Sequence, residues 1–598
     1  MLMHEKIKSN LVDLIVKSIE KNNLVVNSLD IYKTLVEPPN PDMADLALGC
    51  FLLGKELKKS PVVVASELAT FIQSSFSLGE LGIESLAAAG PYINFKFTAI
   101  YLYKNAVVDI IDQSYFKRKL IQQDHLQKIM VEFSQPNTHK ELHVGHMRNL
   151  CLGDSLVRLM RRVHGDSQII SSTFPGDVGT HVAKCLWYIK NHITESEFRS
   201  HKTEKKSRGE WLGKMYSAGN LKLEDDENDP EIYEKNKKEL TLILKQLENQ
   251  QGEFFDLWIE TRQWSIDLMN SVYQWADVQF DRWYWESEVD SDSVKTIRKY
   301  FAEGKLQESQ GAIGLDLENE KLGFCLLLKS DGTGLYATKD IELARRKFEE
   351  FKIKKSIYVV DMRQALHFKQ VFRALEHLGF EQSKDCFHLQ YNFVELPDGA
   401  MSSRKGNIVP LNNLVHQMRH HVRSHYLKRY KEDWTETEME LVSDQVAKGA
   451  IKYGMLKQDT NKKIVFDMDE WLKLDGDSGP FIQYSYARIN SLMKKFKQSE
   501  LISSEGSLLS HSAEKKLMLH LAHMNSVIFA ASEGAKPALL CNYLFDAAKK
   551  FNHFYHECSI GQAETAELKN ARLVLTKATG MILKNGLALL GIPVPERM

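Results

Sequence analysis

Residues 131–149 read VEFSQPNTHKELHVGHMRN and set two imidazoles, His143 and His146, three positions apart at the start of a helical pattern. Side chains at that spacing share one helix face, and both rings can donate to phosphate oxygens. A short apolar run ends in Ser134-Gln135-Pro136-Asn137, where the proline breaks the strand, and a polar loop with Lys140 follows. The helical pattern then runs from Met147 to about His164, with Arg148 and Asn149 continuing its polar end. A strand, a loop and a helix opening with His-x-Gly-His make a nucleotide phosphate site, because the first turn offers free N–H groups and partial positive charge to an anion. Gly145 has no side chain, so a flat purine can lie against the backbone there. A metal pair and two surface histidines are the alternatives for H-x-x-H. No Cys, Asp or Glu stands at metal-ligand spacing beside the two rings.

A second constellation is AMSSRKGNIV at 400–409. Strand-like QYNFVEL (390–396) leads into the turn Pro397-Asp398-Gly399, and Ser402, Ser403, Arg404 and Lys405 then precede Gly406. A cationic, hydroxyl-rich loop suits the charge that develops on a transferring phosphoryl group. Taken alone it reads as a basic surface turn. Paired with H-x-G-H it reads as the other half of a phosphoryl-transfer site.

Regular elements must hold these residues in place. Apolar runs at 128–134, 167–172 and 355–361 alternate with helical patterns at 146–164, 179–192 and from about Gln364 onward. That alternation predicts a Rossmann-like parallel α/β sheet, whose ligands bind at the carboxyl ends of strands, where Asn137 and Asp361 fall. The expected organisation is multidomain: an N-terminal α+β domain over 1–110, the α/β domain over 111–410 and an all-α helical bundle over 411–598. In the first, a helical start and the turn VEPPNPDMADLA precede a helical stretch to about Ser60, Pro61 opens another helix, and GPYINFKF (90–97) alternates like a strand. A very polar insertion at about 194–250 reads as solvated helices whose charge runs form a wet face.

Bulk composition narrows the class. With 43% hydrophobic and 26% charged residues the chain is neither disordered nor membranous. A net charge of −1 means that a polyanion must bind local basic patches. Seven scattered cysteines, none in a C-x-x-C pair, fit a reducing cytoplasm. The N-terminal segment lacks the unbroken apolar core of a signal peptide, and no membrane span is expected.

Together the two signatures resemble those of class I aminoacyl-tRNA synthetases: HVGH is similar to the family's HIGH motif, and AMSSRKG to a variant of its KMSKS loop. The finer resemblance is to arginyl-tRNA synthetases, with EFSSPNxxKPLHVGHLR around the first motif and MSTRKGN at the second. It covers nearly the whole chain. GPYINFKF is similar to that family's additional N-terminal RNA-binding domain, and GPFIQYSYARI (479–489), FNHFYHEC (551–558) and VPERM (594–598) to its helical anticodon-binding domain.

The resemblance implies ATP-dependent ligation of L-arginine to tRNA(Arg) through an arginyl-adenylate, with ATP and Mg²⁺ as substrate, no tightly bound cofactor, a cytoplasmic monomer, attack by the tRNA 2′-OH, and activation that needs bound tRNA. It assigns catalysis to Lys140, His143, His146, Ser402 and Lys405. ATP falls to Pro136, His143, Gly145, His146, His367, Met401 and Val409. Arginine falls to Glu132, Asn137, His146, Tyr336, Asp340 and Gln364. Physically, a planar guanidinium with five donors calls for carboxylates, and Tyr336 and Asp340, four apart at a helix start, share one face. For tRNA the candidates are Tyr484, Tyr486 and Arg488 in one cluster, and Tyr92, Asn94 and Phe95. Aromatics can stack unpaired bases, and the alternative is that they pack between elements. Departures from the family's pattern are Ala400 and Ser403 where KMSKS has lysines, with Lys140 placed to supply the charge, and Val178 in Gly176-Asp177-Val178-Gly179-Thr180 where a tryptophan is usual.

Two rivals are another class I synthetase or tRNA-independent adenylyltransferase, and a non-catalytic tRNA-binding paralogue. Retention of Lys140, His143, His146 and Asp340 speaks against the second.

Overall fold

A computed structural model describes residues 6–20, 27–36, 38, 43–203, 207–396, 399–400, 409–496 and 503–598. The chain divides into two compact units, one of residues 127–425 and 454–471, the other of 1–126, 426–453 and 472–598. The second unit holds the expected N-terminal domain and most of the expected helical bundle, while residues 411–425 and 454–471 of that bundle fall in the first.

The first unit is built on five parallel strands, β1 (Ile129–Glu132), β2 (Ile169–Thr173), β3 (Arg282–Trp283), β4 (Lys355–Asp361) and β5 (Cys386–Tyr391), in the order 5-4-1-2-3. The chain moves outward from β1 to β3 and then returns to the far side of β1. The reversal opens a crevice between the carboxyl ends of β1 and β4, where ligands of such sheets bind. Helix α1 (Val144–His164) leaves that crevice and is buried along nearly all its length, including Leu150, Cys151, Leu156, Leu159 and Val163. At Gly153 a Cβ would stand 2.0 Å from the Phe133 ring, so only glycine lets the helix cross the exit of β1 at this depth.

Arg148 and Asn149, expected on the polar end of α1, are buried instead. The Arg148 guanidinium, 0% exposed, donates to the carbonyls of Asn392 (2.5 Å), Lys462 (2.8 Å) and Asp459 (3.2 Å), with Phe393 and Thr460 at 3.4 Å. Burial draws its pKa down to about 10, which leaves it a cation at neutral pH. Asn149 accepts the Ser134 N–H (2.6 Å) and donates to the Val359 carbonyl (2.8 Å) and the Tyr391 hydroxyl (3.1 Å). One turn of α1 thus grips the loop after β1, the body of β4, the end of β5 and the segment beyond it.

The polar insertion is helical over Glu195–Thr203, Arg208–Asp226 and Pro230–Glu248. Its charge runs coat one side, while Ile243 and Leu247 are buried against Val182, Leu186 and Trp187 of helix Thr180–His192, and Trp211, Leu212 and Tyr216 against Cys185 and Ile189 of the same helix. The insertion is therefore a packed helical layer rather than a set of solvated helices. A second insertion is a three-stranded antiparallel sheet over residues 307–328, against which α2 (Tyr336–Phe351) and α3 (Ala365–His377) bury Ile341, Ala344, Val371 and Leu375.

In the second unit, strands Leu35–Val36, Leu46–Gly49, Tyr92–Phe97 and Ile83–Ala89 form an antiparallel sheet in that order. Leu46–Gly49, which spans the end of the expected turn and the start of the expected helical stretch, is a fully buried strand paired with Tyr92–Phe97. This sheet packs beside the C-terminal helices. The Tyr115 hydroxyl donates to the Ala522 carbonyl (2.9 Å) and accepts the Asn525 N–H (3.1 Å), and Lys515 pairs with Glu84 at 2.6 Å. Among the described residues no helix is long and apolar enough to cross a membrane.

Truncating Arg148 strands several carbonyls without donors. Arg148→Met is expected to lower the unfolding free energy of the first unit by about 3 kcal/mol, and Arg148→Lys, which keeps a charge and three donors, by roughly half that. Urea titration followed by tryptophan fluorescence measures both, and an unchanged midpoint for the methionine variant would refute the clamp.

Candidate active site

Helix α1 begins with a reciprocal cap. His143, at the N-cap, accepts the Gly145 N–H on Nδ1 (3.1 Å), and the His143 N–H donates to Nδ1 of His146 (3.2 Å). Each ring is thereby fixed in the tautomer that carries its proton on Nε2. The rings lie 4.0 Å apart between centroids. Burial, then the charges of Arg363 and Lys140, pull the His143 pKa down to about 4. Burial, His143 and Lys140 hold His146 well below its ordinary value. Both imidazoles are neutral donors at physiological pH. The first-turn amides, expected to be free, are engaged: Val144 N–H donates to the Val409 carbonyl (3.2 Å), Gly145 to the His143 ring and His146 to the His143 carbonyl (2.9 Å). What this helix start offers an anion is the dipole and two Nε2–H groups rather than backbone N–H.

The loop before α1 is bent by force of its surroundings. Ser134 (φ 56°) and His139 (φ 59°) take left-handed backbone, which side chains other than glycine rarely adopt and which costs energy that packing must supply. His139 is fully buried, its Nε2 2.8 Å from Thr261 Oγ1 and its N–H on Ser265 Oγ (2.9 Å), and burial lowers its pKa to about 3. Thr138 N–H donates to the Gly176 carbonyl (2.8 Å), which also takes Nε2 of His181 (3.2 Å). A Cβ on Gly176 would lie 2.3 Å from Asn137 Oδ1, so this glycine makes room for the asparagine. Beside it, buried Asp177 accepts from Arg262 Nε (2.7 Å), the Ser287 amide (2.9 Å) and the Ser287 hydroxyl (2.7 Å), while Arg262 stacks 4.1 Å from the Trp285 ring. Val178 is half-buried. Lys140 stands 4.9 Å over the Tyr216 ring, and a Cβ on Gly213 would meet the Glu141 backbone at 2.7 Å, so the inserted helix Arg208–Asp226 presses on this loop.

Across the crevice, Tyr336 is 63% exposed at the first position of α2, and Asp340 follows one turn later. Asp340 Oδ2 lies 2.6 Å from Nε2 of His367 on α3. Gln364 is exposed at the N-cap of α3, and Asp361 accepts the Arg363 amide at 2.8 Å. Glu286, which sequence reading missed, is buried at the carboxyl end of β3. Its Oε1 would be 3.4 Å from a Cβ on Gly176, and its Oε2 is 3.4 Å from Lys339. Burial outweighs Lys339 and, with Asp177 and Asp340 nearby, raises its pKa to about 7. The strand-end rule pointed to this residue, since it follows Arg282–Trp283 of the parallel sheet.

Glu132 neither faces solvent nor presents a free carboxylate. It is 3% exposed, ion-paired with fully buried Lys347, and accepts the Gln135 amide at 3.2 Å. Pro136 is buried, Gly145 half-buried, and Val409 meets α1 through its carbonyl. Met401, Ser402, Ser403, Arg404 and Lys405 lie outside the described residues. Residues flanking that segment are fixed: Asn392 and Phe393 by Arg148, and Leu411 by its amide on the Leu142 carbonyl (3.0 Å).

In the other unit, Arg488 lies 5.0 Å from the Tyr484 ring and 5.9 Å from the Tyr555 ring, and donates to Asn552 Oδ1 (3.1 Å). Tyr486, two positions from each of Tyr484 and Arg488, falls on a different helix face, so the expected cluster is Tyr484, Arg488, Asn552 and Tyr555 instead. Phe95 is 0% exposed and cannot stack a base, because alternate strand positions point inward. Tyr92 and half-buried Asn94 face outward, and Tyr92 packs edge-on at 5.7 Å against Phe51, itself 55% exposed. Among the described residues no group of three His, Cys, Asp or Glu side chains could hold a metal ion.

Buried neutral histidines make the loop acid-labile. His139 and His181 (about 3), His143 (about 4) and His146 stay unprotonated in the fold at pH values where the unfolded chain, near 6.5, takes up protons. Their contribution is fully present above pH 6.5 and is lost as pH falls toward 4, at about 1.4 kcal/mol per pH unit for each group. Urea midpoints of the first unit should drop steadily over that window, and a flat profile would show that these rings titrate normally.

Sequence and structure comparisons place this geometry. The model "tRNA synthetases class I (R), catalytic domain" matches residues 110–468, "Arginyl tRNA synthetase N terminal domain" residues 3–97, and "DALR anticodon binding domain" residues 482–598. An arginine–tRNA ligase of Bdellovibrio bacteriovorus is 59% identical over 95% of both chains, and one of Clostridium perfringens 32% identical over 100% of this chain and 99% of its own. The structure of Thermus thermophilus arginyl-tRNA synthetase shares the fold, with a TM-score of 0.78 at 24% identity over 98% of this chain and 99% of the other. With 59% identity across its length and a family model spanning residues 110–468, the chain belongs to the arginyl-tRNA synthetases of class I.

Proposed function

We propose that the chain is an arginine–tRNA ligase that joins L-arginine to tRNA(Arg) through an arginyl-adenylate, releasing AMP and pyrophosphate. The observation that carries this reading is that one unit holds two chemistries: neutral Nε2–H donors at the start of α1, and the acidic groups Glu286, beside Gly176, and Asp340 on α2. His181 feels the charges of both Lys140 and Lys339, which ties the phosphate side to the acidic side.

In the first step an arginine carboxylate oxygen attacks the α-phosphorus of ATP and the bond to the bridging oxygen of pyrophosphate breaks. No side-chain nucleophile is needed, and positioning with charge stabilisation lowers the barrier. His143 and His146 donate from Nε2 to phosphate oxygens. Lys140, Ser402 and Lys405 offset the charge of the leaving pyrophosphate, and magnesium enters with ATP as substrate. Asn137 and His146 hold the amino and carboxylate end of arginine. Tyr336, Asp340, Gln364 and, added by its burial and position, Glu286 receive the guanidinium. Glu132 supports the pocket from beneath through Lys347. In the second step the terminal 2′-OH of tRNA attacks the adenylate carbonyl and AMP leaves. The protein acts as a monomer in the cytoplasm.

Tyr484, Arg488 and Tyr555 bind the anticodon arm, and the exposed pair Phe51–Tyr92 stacks an unpaired base. Loss of a stacked base costs about 1–3 kcal/mol, so Phe51→Ala and Tyr92→Ala should each raise KM for tRNA by about tenfold with KM for ATP unchanged. Phe95→Ala should instead destabilise the fold, and a selective tRNA defect in that variant would reverse the assignment.

Charging of total tRNA with each labelled amino acid in turn tests the main reading. Arginine alone should be attached, pyrophosphate exchange should require tRNA, and Asp340→Asn should raise KM for arginine on the order of 100-fold with ATP binding retained. Attachment of another amino acid, or exchange at equal rates with and without tRNA, would contradict it.

A further inference from the structure

Asp340 and His367 belong to opposite sides of the reaction in the reading above, the first to arginine and the second to ATP, yet they are bonded to each other. The 2.6 Å bond from His367 Nε2 to Oδ2 is the one hydrogen bond that the Asp340 carboxylate makes among the described residues. Both side chains are partly covered, at 17% and 24% exposure, so the bond is shielded from water on most sides. We propose that His367 is the resident occupant of the guanidinium seat on Asp340, and that arginine binds by displacing it and so frees the imidazole for the nucleotide side. The proposal rests on the assignment of Asp340 to the guanidinium.

Several observations support displacement over simultaneous binding. A carboxylate receives a guanidinium best through both oxygens, and one is already taken by the ring. A carboxylate only accepts, so the ring must place its proton on Nε2, where the guanidinium would also place one. Burial opposes charge on His367, but the hydrogen bond and the charge of Asp340 outweigh it and raise its pKa above the ordinary value. A second cation on Asp340 would meet that ring. Phe368 lies edge-on to the ring at 5.4 Å and fixes one side of it, so the imidazole must leave by swinging away from α2.

Two consequences follow from competition for one carboxylate. Selectivity gains a threshold: a neutral isostere of arginine such as citrulline has to break the Asp340–His367 bond without replacing its charge. The substrates also become coupled. A residue released by arginine and used by ATP makes each ligand favour the other by the same factor.

The test is equilibrium binding by calorimetry on the full-length chain without tRNA. The probes are L-arginine and the non-reactive ATP analogue bridged by a methylene between the α and β phosphorus atoms. His367→Leu removes the competitor and should tighten arginine binding on the order of tenfold. It should also abolish the mutual reinforcement of arginine and the analogue that the wild type shows. His367→Gln, which can bond Asp340 without charge, should fall between the two, and it carries the test if the leucine variant does not fold. Unchanged or weaker arginine binding in these variants would overturn the proposal, since His367 would then be steering Asp340 rather than occupying its place. Asp340→Asn separates the two levels. If arginine binds that variant as it binds the wild type, the guanidinium seat lies elsewhere and the underlying assignment falls with it.

Discussion

A guanidinium buried among main-chain carbonyls holds the catalytic unit together. Arg148 brings a full positive charge into the interior with no carboxylate bonded to it among the described residues; the oxygens of residues 392–393 and 459–462 share the load, and the charge of Asp361 adds to it. Carbonyl dipoles converging on one cation hold it without a directly bonded counter-charge, provided that none of them moves. One turn earlier, Val144 takes the Val409 carbonyl and Leu142 takes the Leu411 amide. The two ends of the segment that carries the serine- and lysine-rich motif are thus both tied to the first two turns of α1. Motifs about 250 residues apart in sequence become neighbours because one helix start anchors both.

The same helix start determines what the two histidines are chemically. Had they faced solvent, their ring nitrogens would exchange protons near neutral pH. Each instead spends Nδ1 on a backbone amide, which leaves a single neutral donor at Nε2. In the proposed reaction, neutral donors suit a site through which a polyphosphate must both arrive and leave. A fixed cation would bind the pyrophosphate product as tightly as the substrate, whereas a neutral N–H follows the charge as it develops. That reaction leaves the positive charge to lysines.

Much of this arrangement was legible in the sequence, for identifiable reasons. Alternating apolar runs and helical patterns marked the parallel sheet, and H-x-G-H marked a helix start at its switch point. What escaped depended on partners distant in the chain. Leu46–Gly49 has no strand signal of its own and becomes a strand because Tyr92–Phe97 pairs with it. Arg148 looks like a surface residue until its carbonyl partners, far along the chain, are known. Glu286 sits in an unremarkable acidic helix start, and only the fold of β3 brings it beside Gly176. Tyr486 and Phe95 were misjudged on simpler grounds, since helix and strand periodicity alone put them on faces other than those of their neighbours.

Gly213 and Tyr216 give the inserted helix Arg208–Asp226 an unexpected standing. The helix lies outside the sheet and carries some of the most polar sequence in the chain, which invites its removal when the enzyme is trimmed to a minimal core. Yet its glycine admits the Glu141 backbone, and its tyrosine is the surface over which Lys140 stands. Shortening the enzyme there would leave both substrate pockets intact on paper and the lysine without a floor.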